Sequence, residues 1–174
     1  ELFAAGALRA ALIAQGITVD GPVRTGTTPR DAIAVGTFDS PPLQEIVTQM
    51  NGESNNHFAE LLFRDAASSV GTPGSAENAN ILLRRFLYEK AEVAPTAVFA
   101  ADGSGLSTLD RVTARAMVKL LGYVRKAPWG SVLEQSLPVA GETETLKHRM
   151  RATAAMGNLH AKTGTTNDVA SLGG

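Results

Sequence analysis

The 174 residues carry sixteen Lys and Arg against seventeen Asp and Glu, a formal charge of −1, so no basic excess exists to drive binding to nucleic acid or to an anionic membrane surface. Hydrophobic residues make up 44% and charged residues 19%, the balance of a globular chain long enough for one domain with a sizeable core. There is no cysteine, which excludes thiolate catalysis, cysteine-based zinc sites and disulfides and fits either cytosol or periplasm. His57, His148 and His160 lie far apart without metal-ligand spacing, and no apolar run approaches the ~18 residues of a membrane span. The sequence begins at Glu1 without a methionine or a signal-peptide pattern, and is expected to be an internal piece of a longer product.

In chain order, LFAAGALRAALIAQGI places Leu8, Leu12 and Ile13 at helical spacing and stops at Gly16. TVDGPVRTGTTP reads as short strands and turns. Ser40-Pro41-Pro42 offers an N-cap with proline at the first helical position, opening a helix with Leu43, Ile46, Val47 and Met50 on one face. The stretch from Gly52 to Asn56 interrupts, and a second helix follows with Phe58, Leu61, Leu62 and Ala66 on its apolar stripe. After SVGTPGS, ENANILLRRFLYEKA turns Leu82, Leu83, Phe86 and Leu87 inward.

PTAVFAADGSGLS reads as a buried strand, Val98–Ala101, running into a glycine-rich turn, and Thr113 caps a further helix. A short helix near Trp129–Gln135 leads to LPVAG, and LHAKTGTTNDVASLGG reads as an antiparallel hairpin whose second strand is Val169–Leu172. No internal repeat or long linker divides the chain. Helices in the middle and strands at both ends predict an α/β mixture whose ends meet in one sheet.

Two stretches carry candidate chemistry. In LHAKTGT a cation, small hydroxyls and a glycine follow a short apolar run. A phosphate loop needs glycine immediately before its lysine and a helix after it. Here Ala161 precedes Lys162 and a strand pattern follows, which leaves an ordinary turn or a carboxylate-binding strand edge. In ESNNHFAEL, Ser54 and Asn56 stand two apart in the break between helices, where capping alone would account for them. Ser-x-Asn upstream and Lys-Thr-Gly downstream, about a hundred residues apart, are nevertheless two of the three elements of penicillin-recognising serine acyl-transfer enzymes.

NNHFAELLFR, DGSGLSTLDRVT, LPVAG, LKHRM and LHAKTGT occur in that order. Together they resemble the D-alanyl-D-alanine carboxypeptidases/endopeptidases of the class C low-molecular-mass penicillin-binding proteins, over nearly the whole chain. The resemblance implies an α/β (α+β) penicillin-binding-protein/β-lactamase-like fold with an antiparallel sheet and a helical lobe, of which residues 1–174 would be the second part of the catalytic domain. It implies a serine-type peptidase of the periplasm or extracytoplasmic envelope that acts on D-Ala-D-Ala stem peptides of peptidoglycan, is acylated by β-lactams and needs no metal or cofactor.

By the same resemblance Ser54 is a proton relay toward the leaving amine and Asn56 hydrogen-bonds the substrate amide. Lys162 supplies positive potential beside Ser54. Thr163 and Thr165 hydroxyls meet the substrate carboxylate, Gly164 permits its close approach, and the Thr165 N–H is one oxyanion-hole donor. Asp102 and Ser104 belong to a turn near the site, with a structural and a direct role equally open.

The departures matter. No Ser or Thr has a lysine three positions later, so the Ser-x-x-Lys nucleophile of the family is absent and is expected in a missing N-terminal part of the same protein. Glu144 stands where a glycine before the Thr-Leu pair is usual. Two other functions stay open on the sequence: a β-lactamase or esterase relative, and a catalytically dead peptidoglycan-binding module. Ser54 and Lys162 are expected within hydrogen-bonding reach of each other.

Overall fold

The computed structural model describes residues 2–174 and divides into two compact units, Glu1–Ser40 and Pro41–Gly174. In the first, α1 (Leu2–Ala14) ends where Gly16 takes φ 80°, and the Gly16 and Ile17 amides donate back to Ile13 and Leu12 carbonyls at 2.9 and 3.0 Å. This left-handed stop is the one the sequence predicts. Its apolar stripe is not inward-facing: α1 buries none of its residues, and Leu8 and Ile13 are largely exposed. The strands expected after it are absent, for residues 17–42 hold no strand. Pro22 and Pro29 remove amide donors, and one observed tie is the Arg9 guanidinium donating to the Val19 carbonyl at 3.2 Å.

The second unit holds the remaining α-helices and strands: α2 (Leu43–Glu53), α3 (Asn56–Ser69), α4 (Ala76–Ala91), β1 (Val98–Phe99), β2 (Arg111–Val112), α5 (Ala114–Val124), α6 (Gly130–Ser136), β3 (Lys162–Thr165) and β4 (Ala170–Gly173). The fold is α+β. Its strands form two separate antiparallel pairs, β1–β2 and β3–β4, so the expectation of a single sheet joining the chain's ends does not hold.

Caps set most helix starts. The side chains of Asn55, Ser75 and Thr113 accept the amides of Phe58, Asn78 and Ala116, each such cap stabilising by about 1 kcal/mol. The expected Ser40 cap is replaced by Pro42, which has no side-chain cap bond; its carbonyl takes the Glu45 amide instead. The break after α2 is also narrower than predicted. Gly52 and Glu53 stay helical, and only Ser54 and Asn55 lie between α2 and α3.

Helix α4 packs on both α3 and α5, and α2 packs on α6. Leu87, Ala91, Val93 and Ala116 form a buried cluster, with Phe86, Val98, Leu120 and Tyr123 packed around it. Burying a leucine such as Leu87 stabilises by roughly 1.5–3 kcal/mol, while the alanines let helices approach closely. Phe86 meets Tyr123 edge-on at 5.7 Å.

The strand expected at Val98–Ala101 is shorter, and Phe99 is 42% exposed rather than buried. Side chains take over its ladder: Asn80 Oδ1 accepts the Ala100 amide at 3.0 Å and Asp110 Oδ1 the Ala101 amide at 2.7 Å.

Glu144 adopts φ 45° at the start of a 3₁₀ turn, Glu144–Leu146. A left-handed conformation costs a residue with a Cβ roughly 1–2 kcal/mol, and glycine avoids it at a smaller entropic cost. Glu144→Gly should therefore stabilise the chain by about 0.5–1 kcal/mol, read as a higher melting temperature. A lower one would show that the Glu144 side chain outweighs its backbone strain.

Candidate active site

Ser54 closes α2 in the left-handed region, φ 56° and ψ 48°, and the amides of Ser54 and Asn55 both turn back to the Met50 carbonyl. That conformation, costly for a residue with a side chain, reverses the chain so that α3 starts at once. Three residues earlier the buried Asn51 Nδ2 donates to Ser136 Oγ at 2.7 Å, and Ser136 Oγ donates to the Leu133 carbonyl at 2.6 Å. The end of α2 is thus fixed to α6.

The lysine comes from the hairpin that follows α6. After α6, Val139 bridges His160 in antiparallel pairing, and the Ala161 amide donates to the Pro138 carbonyl at 2.9 Å. Ala161 is fully buried. β3 then pairs with β4 in the register Lys162↔Gly173, Thr163↔Leu172, Gly164↔Ser171 and Thr165↔Ala170, closed by the Thr166 amide on the Val169 carbonyl. The predicted hairpin is present, its second strand one residue later than expected.

These two constructions meet. Lys162 Nζ donates to Ser54 Oγ at 2.9 Å across 108 positions of sequence, and to the Thr163 carbonyl at 2.8 Å. No salt bridge reaches Lys162 among the described residues. Partial burial holds its ammonium below the ordinary lysine range, because desolvation disfavours the charged form. The result is a cation with a hydroxyl in hand and spare hydrogen-bonding capacity.

Asn56 opens α3 and is exposed, as is Ser54. Strand alternation sets Lys162 and Gly164 on one face of β3 and Thr163 and Thr165 on the other, so lysine and threonines can share one ligand only at the strand edge. At Gly164 the space for a Cβ is already taken, 2.6 Å from Ser171 Oγ. A side chain there would first have to displace that hydroxyl.

Asp102 and Ser104 shape their own turn. Asp102 accepts the Gly105 and Ser107 amides at 2.7 and 2.8 Å, and Ser104 Oγ accepts the Leu106 amide at 3.2 Å. Sequence reasoning overlooked Glu60 and Asp110, which hold the same turn from outside: Glu60 Oε2 accepts the Gly103 amide at 2.7 Å. The Gly103 N–H, then Arg64, hold Glu60 below the usual carboxylate range. Burial pushes Asp110 up against the pull of the Ala101 N–H, with Asp102 adding to the rise. Glu60 and Arg64 read from sequence as an ordinary i,i+4 surface pair, so nothing in the pattern marks the longer-range bond. No group of three or more His, Cys, Asp or Glu among the described residues is placed to hold a metal.

The whole chain, residues 1–174, matches the D-Ala-D-Ala carboxypeptidase 3 (S13) family. It is 37% identical, over 94% of its length, to the D-alanyl-D-alanine carboxypeptidase of Actinomadura sp. (strain R39), covering 32% of that protein. It is 32% identical over 87% of its length to carboxypeptidase DacB of Mycolicibacterium smegmatis, covering 33% of that relative. The crystal structure of penicillin binding protein 4 (dacB) from Haemophilus influenzae superposes with a TM-score of 0.87 at 27% identity, over 97% of this chain and 38% of that one. The same protein complexed with a β-lactam gives 0.86. The chain belongs to the D-Ala-D-Ala carboxypeptidase 3 (S13) family, and spans about a third of the length of these relatives.

A depressed lysine has a defined signature in stability. Its folded-state value lies below the ordinary 10.5, so the cost of holding the charge is fully present below the folded value and fades as pH rises toward 10.5. Lys162→Met should melt no lower than the unchanged chain at pH 7, its gain shrinking in alkaline solution. A large loss of stability at pH 7 would instead make the Ser54 contact a main support of the fold.

Proposed function

We propose that this chain supplies two of the three recognition elements of a serine acyl-transfer site that hydrolyses D-Ala-D-Ala-terminated peptidoglycan stem peptides and is acylated by β-lactams. The nucleophile would come from a part of the protein outside these residues, since no Ser-x-x-Lys occurs here. Residues 1–174 are then the second part of the catalytic domain, working in the extracytoplasmic envelope where its polymer substrate lies. The observation that carries this reading is the 2.9 Å contact of Lys162 with Ser54, made by the two motifs that the family resemblance pairs.

The geometry suits the chemistry. When a serine attacks the peptide carbonyl it gives its proton to a base outside these residues and forms an ester, the C–N bond breaks, and the leaving amine must take up a proton. Ser54 can hand over its hydroxyl proton and be resupplied, because a hydroxyl donates and accepts at once. The Lys162 ammonium, next to it and easier to deprotonate than an exposed lysine, fits the role of proton source and of local positive field. Asn56 offers an amide to the substrate backbone. Thr163 and Thr165 fit the substrate's terminal carboxylate at the edge of β3, with the Thr165 N–H as one oxyanion donor. Gly164 keeps the strand low at that edge. Asp102 and Ser104 keep the neighbouring turn in shape. No metal or cofactor is needed for acyl transfer of this kind.

Charge-assisted hydrogen bonds are worth roughly 1.5–3 kcal/mol. In the full-length protein Lys162→Ala should therefore lower k2/K for acylation by a penicillin about 10–100-fold. Thr165→Ala should cost less, since its oxyanion donor is a backbone N–H that the substitution keeps. Stopped-flow acylation with a fluorescent penicillin, beside melting curves, reads both. Unchanged acylation by folded Lys162→Ala would reduce Lys-Thr-Gly to a structural hairpin. A further expectation concerns the 174 residues alone: they should take up no covalent penicillin, as intact mass can show.

A further inference from the structure

Glu60 stands four residues after Asn56 and so one turn further along the same face of α3. Its Oε1 pairs with the Arg64 guanidinium, a bond within one helix whose partners are 45% and 26% exposed. Such pairs contribute little to stability. The other oxygen does something different. Oε2 accepts the Gly103 amide at 2.7 Å, across 43 positions, and a charged acceptor makes this one of the stronger hydrogen bonds available.

The turn that Glu60 holds lies close against α3. A Cβ at Gly103 would lie 2.5 Å from the Ala59 carbonyl oxygen and 2.5 Å from Phe63 Cβ. These are backbone and near-backbone atoms that cannot swing aside, so the glycine sits flush on α3. Three further amides of the same loop are taken by carboxylates: Ala101 by Asp110, and Gly105 and Ser107 by Asp102. Only the Glu60 bond joins this internally braced loop to the helix that begins with Asn56, among the hydrogen bonds formed by those carboxylates.

We propose that Glu60 is a positioning residue for the acyl-transfer site, fixing the Asp102–Ser107 turn in register with α3 and, through it, the placement of Asn56 at the start of that helix. The inference rests on the function proposed above. The acceptor oxygen matters in it, and the charge pair with Arg64 does not. A neutral acceptor of the same length keeps the bond to Gly103; an apolar side chain of similar length loses it and lets the turn lift. Small misplacements of a substrate-facing group can cost up to about 10²-fold in rate.

The test uses the full-length protein in five forms: unchanged, Glu60→Gln, Glu60→Met, Arg64→Ala and Lys162→Ala. Acylation by a fluorescent penicillin gives k2/K, and hydrogen exchange reports the Gly103 amide. We expect Glu60→Met to lose about 5–30-fold in k2/K, with faster exchange at Gly103. Glu60→Gln should stay within about threefold of the unchanged protein, and Arg64→Ala within about twofold. Normal acylation by folded Glu60→Met overturns the proposal, as does equal impairment of Gln and Met. If neither variant folds, Glu60 is a folding contact and the proposal also fails. A failure of the underlying function looks different: the unchanged protein would not be labelled, or Lys162→Ala would label normally.

Discussion

A lysine ammonium that is partly withdrawn from water, with a serine hydroxyl at 2.9 Å and no ion pair among the described residues, sets the requirements for the second unit. Such a group is costly to hold unless its position is imposed by structure that is stable for other reasons. The surroundings supply this. Ser54 is held by a left-handed turn between two helices, and Lys162 by a hairpin whose preceding residue is fully buried. Neither side chain needs the other to stay in place, so their meeting is a consequence of two rigid approaches. Burial without a counter-ion also holds the lysine's pKa below its ordinary range, because desolvation disfavours the charged form.

Much of this was legible in the sequence because local rules sufficed. Among the described residues most helices follow from apolar spacing or from a cap or stop signal, and the terminal hairpin follows from its turn residues. Membership of the D-Ala-D-Ala carboxypeptidase 3 (S13) family and the Ser54–Lys162 approach followed from the order of several short motifs. What escaped the reading was decided by long-range partners. The strands expected near the start are absent because short, proline-broken segments become strands only when something pairs with them. The strand at Val98 is cut to two residues because side chains of Asn80 and Asp110 take its next amides. Glu60 was invisible because its visible partner, Arg64, is the local one, while its second oxygen serves a glycine far along the chain.

Gly164 shows a subtler miss. A glycine in a Lys-Thr-Gly strand invites the idea that a ligand comes close, and that remains part of the proposed role. The structure adds a reason from within: Ser171, directly opposite in the hairpin, occupies the place of the missing side chain and leans toward the Gly164 carbonyl at 3.4 Å. A cross-strand neighbour of that kind cannot be seen before the register is known.

The exposed groups and the buried ones divide the work between them. Ser54, Asn56 and Thr165 are exposed, and each lies within a few residues of an anchor that is not. From Ser54 the chain leads back three residues to buried Asn51, whose amide reaches Ser136 on α6. Two residues beyond Ser136, the Pro138 carbonyl receives the Ala161 amide, and the next residue is Lys162, which returns to Ser54. The path closes on itself through three tertiary hydrogen bonds and short covalent steps. Inside it the buried links matter most energetically, since leaving a buried amide without its partner costs about 1–3 kcal/mol. The contact between exposed Ser54 and half-buried Lys162 closes the path from its open side. A contact built this way keeps its geometry while the exposed Ser54 hydroxyl remains free to exchange partners with water.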